Sequence, residues 1–258
     1  MSDAASPTGR VALVTGSTSG IGAAIARRLA RDGYTVALHG RRPSSEVEAL
    51  ARDLGAASYH PADLADPAAP AALVAAVLAR HGRLDVLVNN AGESIRIPHA
   101  DLKAATPAVW RRMLDVNLVA PFQLVAEAEP ALRRAAAASG RAAASGRAAA
   151  VINIGTHAGV RPKGASIPYA VAKAGLHHAT RLLALTLGPD IRVNAVAPGL
   201  VETPMTADWT EAMELWKERS PMRRPAKPDD IADLVAALVA NDYVTGEIVL
   251  ADGGLNLT

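Results

Sequence analysis

The sequence predicts an α/β fold, a doubly wound parallel sheet of about seven strands with helices on both faces. Three observations carry that expectation. Short apolar runs rich in β-branched residues alternate with helical patterns along the chain; a glycine-rich turn, Thr15-Gly16-Ser17-Thr18-Ser19-Gly20-Ile21-Gly22, joins the first apolar run to the first helical one; and the residues suited to chemistry fall where strands end. In order, Val11 to Thr15 reads as the first strand, delivered by the glycine turn into a helix over Ile21 to Asp32. Thr35 to His39 follows as a strand, Ser45 to Leu54 as a helix, Ser58 to His60 as a short strand and Pro67 to His81 as a helix. Val86 to Asn89 is the fourth strand, and one long helical pattern covers Pro107 to Arg134. Val151 to Ile154, Arg192 to Ala197 and Glu247 to Leu250 complete the strands, with helices over Pro168 to Leu187, Thr210 to Arg219 and Pro228 to Val239 between them. Parallel strands require right-handed crossovers, and ligands of such sheets sit beyond the strand carboxyl ends.

The 258 residues, half of them hydrophobic, suit one domain over 1–258. Aromatic residues make up 3% and Phe occurs once, so Ala, Val, Leu and Ile must do the packing. With no cysteine, disulfides and thiolate metal sites are excluded, and the seven histidines show no ligand spacing, so no metal is expected. Met1 to Arg10 lacks an apolar signal segment and no apolar run reaches membrane-spanning length, which leads to the expectation of a soluble, cytoplasmic protein without membrane contact. Net charge is +2, and the basic pairs Arg27-Arg28, Arg41-Arg42, Arg111-Arg112, Arg133-Arg134 and Arg223-Arg224 are scattered without interleaved aromatics, which argues against a nucleic-acid partner. Ser139-Gly140-Arg141-Ala142-Ala143-Ala144 is repeated at once over Ser145 to Ala150. It reads as an extension of a surface connection before the fifth strand, tolerated because loop lengthening costs little, or else as an interaction or lid element.

Tyr169 and Lys173 stand one turn apart on one helix face. An ammonium beside a phenol favours the phenolate and lowers its pKa toward working pH, and a tyrosine so tuned can exchange a proton with a carbonyl oxygen. In the glycine turn, Gly16 can make the tight bend, Gly20 lets the backbone approach a pyrophosphate and Gly22 lets helix and strand pack closely. The helix N-terminus behind Ser17, Thr18, Ser19 and Ile21 offers unpaired N–H groups to an anion. The spacing Thr-Gly-x-x-x-Gly-x-Gly departs from Gly-x-Gly-x-x-Gly, so a purely structural glycine turn stays open on these grounds alone.

Further motifs follow: Asp63-Leu64 after the third strand, Asn89-Asn90-Ala91-Gly92 after the fourth, Asn117 within Asp115-Val116-Asn117, Asn194 to Gly199 as Asn-x-x-x-Pro-Gly, and Asp252-Gly253-Gly254. Together with the turn and the Tyr-Lys pair they stand in the order of the short-chain dehydrogenase/reductases of the Tyr-x-x-x-Lys type, which the chain resembles over nearly its whole length. The resemblance implies a Rossmann-like sheet and a catalytic set of Asn117, Thr156, Tyr169 and Lys173. It implies that residues Gly16 to Gly22 hold the phosphates of a dinucleotide, that Asp63, beside Leu64, bonds the adenine amino group, and that Asn90, Ala91 and Gly92 border the ribose. Pro198, Gly199, Val201 and Thr203 would hold the nicotinamide end, Lys173 the nicotinamide ribose, and Asn89 would stitch strands together. Asp63 as an ordinary helix-capping loop residue is the bland alternative.

Where the family carries a serine ahead of the tyrosine this chain has Thr156, which keeps the hydroxyl but adds a methyl and restricts χ1. Ser166 is the other nearby hydroxyl and reads as a helix cap. By resemblance, hydride passes from reduced nicotinamide to a carbonyl carbon while Tyr169 protonates the oxygen, Thr156 orients that oxygen, and Asn117 perturbs its own helix to place a water in the proton path. Enoyl reductases similar to this family set their lysine further from the tyrosine, at a position held here by Leu176.

Cofactor choice has a physical handle. A carboxylate at the end of the second strand would accept a ribose 2′-hydroxyl and repel a 2′-phosphate, but that end reads His39-Gly40-Arg41-Arg42. Arg41 offers a planar fork suited to phosphate, so NADP(H) is expected; solvated arginines are the alternative. Residues of about 199–225, where the resembled family folds a lid, include Met205, Trp209, Met213, Trp216 and Met222. They form an apolar wall for a hydrophobic ketone or alcohol, or a helix face packed on the body or a second subunit. Thr156, His157, Trp209 and Trp216 are the substrate-side candidates, with His157 equally readable as a structural residue. The resemblance implies a homotetrameric NADPH-dependent carbonyl reductase similar to 3-oxoacyl thioester reductases, with a sugar or steroid alcohol dehydrogenase, or a non-catalytic dinucleotide sensor or scaffold, as alternatives.

Overall fold

A computed structural model describes residues 9–42, 45–55, 57–140 and 148–258. Its strands are β1 (Val11–Val14), β2 (Thr35–Gly40), β3 (Ser58–Pro61), β4 (Val86–Asn89), β5 (Ala149–Ile154), β6 (Ile191–Pro198) and β7 (Ile248–Ala251). They form one seven-stranded parallel sheet in the order β3-β2-β1-β4-β5-β6-β7. The helices are α1 (Gly20–Arg31), α2 (Ser45–Asp53), α3 (Ala69–His81), α4 (Pro107–Leu114), α5 (Ala120–Ala138), α6 (Ile167–Leu187), α7 (Thr210–Arg219) and α8 (Pro228–Ala240).

The pleat explains why the strands are apolar throughout. Ala12 and Val14 of β1 face a layer built from Ile25 and Leu29 of α1 and Ile231 and Val235 of α8. Val11 and Leu13 face the opposite layer, where Leu73 and Val77 of α3 meet Leu124 and Leu132 of α5. A strand covered on both faces has no solvent side, so the sequence shows continuous runs instead of alternation. The chain builds outward from β1 to β3, then returns to the other flank of β1 with β4. This reversal opens a crevice between the carboxyl ends of β1 and β4. Asn90 spans it, its amide donating to the Thr15 and Gly16 carbonyl oxygens at 2.9 and 3.0 Å.

Most ends shift by one or two residues, α3 opening at Ala69 and not at Pro67, and two differences have a local cause. The pattern over Pro107 to Arg134 is two helices joined by a π turn over Asp115–Val119. The cause is local: Pro121 has no N–H to give to the carbonyl of Asn117, and the Asn117 amide donates to the Met113 carbonyl at 3.0 Å, so the ladder widens by one residue. β5 begins at Ala149, inside the repeated segment, where alanine's weak strand preference is overridden by pairing with Val86 and Ile191 on either side. Residues 141–147, most of the expected surface extension, lie outside the described residues. Among the described residues no helix is long and apolar enough to cross a membrane, and no group of three or more His, Cys, Asp or Glu is placed to hold a metal ion.

Candidate active site

The phosphate-side turn is shaped by its glycines. Gly16 sits at φ 61° and Gly20 at φ 52°, in the left-handed region that a side chain resists. A Cβ on Gly22 would collide with the Gly16 carbonyl oxygen, so this glycine lets the turn fold on itself as well as letting the helix approach the sheet. Ser19, at the N-cap of α1, makes no side-chain cap bond and the first turn carries no acid. The N–H groups and the dipole of α1 are thus offered to an anion. Thr18, Ser19 and Ile21 line the same cavity, whereas Ser17 departs from its expected cofactor contact. Ser17 is fully buried, with its N–H on the His39 carbonyl at 2.9 Å and its hydroxyl accepting the His39 N–H at 2.9 Å; it stitches the turn to β2.

His39 holds the turn from below, which the sequence reading missed. Its Nδ1 accepts the Gly16 N–H at 3.1 Å and its Nε2 meets the Ala62 carbonyl at 3.2 Å. Burial drives its pKa down to about 4, so the ring stays neutral and able to accept. Beyond it, a Cβ on Gly40 would collide with the Thr18 methyl, and Arg41 is exposed at the cavity edge. Asp63 lies in an exposed turn, accepting the Ala65 N–H at 3.1 Å, with Leu64 buried beside it and Arg112 within 3.9 Å. Arg112 also bonds Glu93 at 2.7 Å. Glu93 in turn exchanges backbone bonds with Asn117, giving its N–H to Oδ1 at 3.2 Å and accepting from Nδ2 at 2.9 Å. The Ala91-Gly92 loop is therefore clipped to the π turn from two directions.

The chemical groups come from β5 and α6. Ser166 caps α6, accepting the Tyr169 N–H at 3.4 Å, as its position suggested. Tyr169 and Lys173 both face the end of β5, where the Thr156 hydroxyl is near enough to the phenol to hold its pKa down. Thr156 Oγ1 also accepts the Ala158 N–H at 3.3 Å, fixing the hydroxyl. Lys173 is buried and donates to the Ile154 carbonyl at 2.8 Å. Its ammonium therefore engages backbone, and the phenol is not acidified by it as expected. Burial pushes the Tyr169 phenol up to about 12, with Thr156 drawing it partway back, and brings Lys173 down to about 8. Lys173 Nζ and Asn117 Oδ1 flank the same glycine: a Cβ on Gly92 would sit 3.5 and 3.0 Å from them.

Pro198, Gly199, Val201 and Thr203 follow β6 into the wall opposite the phosphate turn. Thr203 closes a small box with Thr206, and its methyl would lie 3.2 Å from a Cβ on Gly20. Trp216 packs on Gly199 and stands edge-on to His157 with ring centroids 6.1 Å apart, while Trp209 lies under Arg96. His157 Nε2 is 3.6 Å from Asp252 Oδ2. Both tryptophans line one cavity of about 1210 Å³ with Thr156, Tyr169, Arg41 and the glycine turn.

A second buried imidazole, His177 on α6, is also brought down to about 4, mainly by burial. Both folded pKa values lie below the ordinary 6.5, so the unfolded chain binds more protons between pH 6.5 and 4. Their contribution to stability is present above pH 6.5 and is lost as pH falls toward 4, on the order of a few kcal/mol in all. The unfolding midpoint followed by calorimetry is expected to drop across this window, and His39→Gln to flatten the drop. An equally steep profile in the variant would contradict the assignment.

The comparisons agree with this geometry. The family model described as Enoyl-(Acyl carrier protein) reductase matches residues 16–256. A protein of Streptomyces violaceoruber named as ketoacyl reductase 2 of the granaticin polyketide synthase is 45% identical over 254 residues, covering 97% of this chain and 98% of the relative. The structure of a 3-ketoacyl-(acyl-carrier-protein) reductase from Brucella melitensis, solved with NADH, is similar with a TM-score of 0.85 and 31% identity, over 96% of this chain and 98% of that one. A blue fluorescent protein from a metagenomic library, solved with NADPH, gives a TM-score of 0.83 at 35% identity, over 97% and 99% of the two chains. With the parallel sheet, the glycine cradle and the Thr156, Tyr169 and Lys173 cluster in place, the chain belongs to the short-chain dehydrogenase/reductase family and is an oxidoreductase of the nicotinamide-dinucleotide-binding kind.

Proposed function

We propose that the protein reduces a ketone to a secondary alcohol with NADPH. The observation that carries this reading is the meeting of the Thr156 and Tyr169 hydroxyls in a cavity continuous with the glycine cradle, with Lys173 buried beside them. The bound nicotinamide supplies hydride. Tyr169, held protonated by burial, gives its proton to the carbonyl oxygen. Thr156, whose oxygen already accepts from Ala158, directs its own proton toward the developing negative charge. Lys173, at about 8, can take up and pass on a proton near neutral pH, and Asn117 stands next in line. Asn117, Thr156, Tyr169 and Lys173 are accordingly the catalytic set.

The glycine cradle, Asp63, Asn90, Ala91, Gly92 and the wall from Pro198 to Thr203 hold the dinucleotide on this reading. NADPH is favoured because the end of β2 offers Gly40 and exposed Arg41 and no carboxylate. Residues 199–225 act as a lid whose Trp209 and Trp216, with Thr156 and His157, contact a hydrophobic substrate. The relatives named as ketoacyl reductases support a 3-oxoacyl thioester or related ketone. Half-exposed Phe122 on α5, the chain's one phenylalanine, and exposed Leu185 on α6 support assembly into a homotetramer.

The test is NADPH oxidation against acyl thioesters, diketones, aromatic ketones and sugars. Turnover of at least one ketone is expected, with kcat/KM for NADPH above that for NADH by about tenfold or more, and Arg41→Asp is expected to erase that margin by removing about 1–3 kcal/mol of charge-assisted bonding. No turnover by any of them, or an NADPH preference that survives Arg41→Asp, counts against the respective part of the reading.

A further inference from the structure

His177 lies two helical turns beyond Tyr169 and one beyond Lys173, so the three share a face of α6. Each engages a different part of the segment after β5. Lys173 holds the Ile154 carbonyl, Tyr169 meets the Thr156 hydroxyl, and His177 Nε2 accepts the Thr156 N–H at 3.4 Å. The other side of the ring lies against Gly159, whose carbonyl draws the ring's pKa partway back up. That pattern assigns the proton to Nδ1 and leaves Nε2 as the acceptor. The backbone is shaped around the ring: a Cβ on Gly155 would collide with Nε2, and one on Gly159 would lie 2.7 Å from Cε1 and 2.9 Å from Nδ1. The turn it grips is short, closed by the Gly159 N–H on the Thr156 carbonyl at 2.9 Å and by the Ala158 N–H on Thr156 Oγ1. One buried imidazole thus ties both ends of the turn that carries the Thr156 hydroxyl.

We infer that His177 is a positioning residue, whose neutral ring fixes the backbone from Thr156 to Gly159 so that the Thr156 hydroxyl is held in register with the Tyr169 phenol. The inference rests on the ketone-reduction reading above. His177 does not line the cavity, so its effect passes through the turn from Gly155 to Gly159 that it holds. The ring's depressed pKa keeps it an acceptor at any ordinary assay pH.

The decisive comparison is His177→Met against His177→Gln, side chains of similar length that differ in having a hydrogen-bonding end; His177→Leu replaces methionine if that variant does not fold. Methionine is expected to lower kcat by about tenfold to a hundredfold with KM for NADPH within about twofold, and glutamine to stay within about fivefold of the parent, since small misplacements of a catalytic group carry costs of this size. In a Thr156→Ala background the methionine substitution should cost less than about threefold, because both changes disable the same hydroxyl. A kcat within about threefold of the parent for His177→Met, or an undiminished cost in the Thr156→Ala background, overturns the inference. Turnover by the parent and its loss in Tyr169→Phe report separately on ketone reduction. Should the parent reduce no ketone, a crystal structure of His177→Met decides the positioning role: Thr156 Oγ1 displaced by about 1 Å supports it, and an unmoved hydroxyl sinks it.

Discussion

Tyr169→Phe is expected to abolish ketone reduction, with kcat falling by roughly a thousandfold or more while the dissociation constant for NADPH stays within about threefold. The substitution removes one oxygen atom and leaves the ring's packing intact. That oxygen is the proton donor on the proposed route and the partner of Thr156. The cradle around Gly16, Gly20 and Gly22 makes no contact with the phenol and is untouched. Stopped-flow turnover and fluorescence titration of NADPH separate the two quantities, and retained turnover would remove tyrosine from the mechanism. The direction of protonation follows from the site. A phenol held near 12 starts reduction fully protonated, whereas alcohol oxidation needs the phenolate, so the oxidative rate should climb through the alkaline range while the reductive rate stays level around neutrality.

Gly22→Ala has the second large effect, on a different quantity. The new methyl would meet the Gly16 carbonyl oxygen and the Asn90 amide, and neither can yield cheaply. The carbonyl is backbone, and the Asn90 amide already bonds the Thr15 and Gly16 carbonyls. The turn must open, breaking the bridge across the crevice and misaligning the N–H groups of α1. A stability loss of about 2–3 kcal/mol and at least a tenfold loss of NADPH affinity are expected. Gly82→Ala provides the contrast, since no atom lies within 4 Å of its Cβ and only the positive φ of 69° is penalised, at about 1 kcal/mol. Equal affinities in the Gly22 variant and the parent would contradict the role assigned to the turn.

Most of the fold was legible because its signals are local. Continuous apolar strands, helical patterns and a glycine turn between the first strand and the first helix each state their structure within a few residues, and β4 and α7 fall at the bounds the sequence suggested. Ala149 and Ala150 were not legible as strand, since only flanking strands make a pair of alanines extended. The break in the long helix was half legible. Asn117 was expected to disturb its helix, but its amide is also held by the Glu93 carbonyl arriving from the loop after β4. His39 and His177 were the clearest omissions. Each takes a backbone N–H from a loop distant in sequence, Gly16 and Thr156 respectively, and no spacing rule announces such a contact. Ser17 erred the other way: its place in the glycine turn suggested a ligand contact, while the fold uses it for β2. The phenol's pKa was misjudged because adjacency on a helix says nothing of burial, which pushes it up with only Thr156 opposing.

The reversal of strand order at β1 also has an evolutionary side. On the proposed reading, the residues that would distinguish one adenosine from another, from the cradle through Arg41 to Asp63, are encoded ahead of β4, and the residues that would distinguish one ketone from another are encoded behind it. Selection can therefore retune which reductant pool the enzyme draws on without disturbing what it reduces, and can diversify its products while its fuel stays the same.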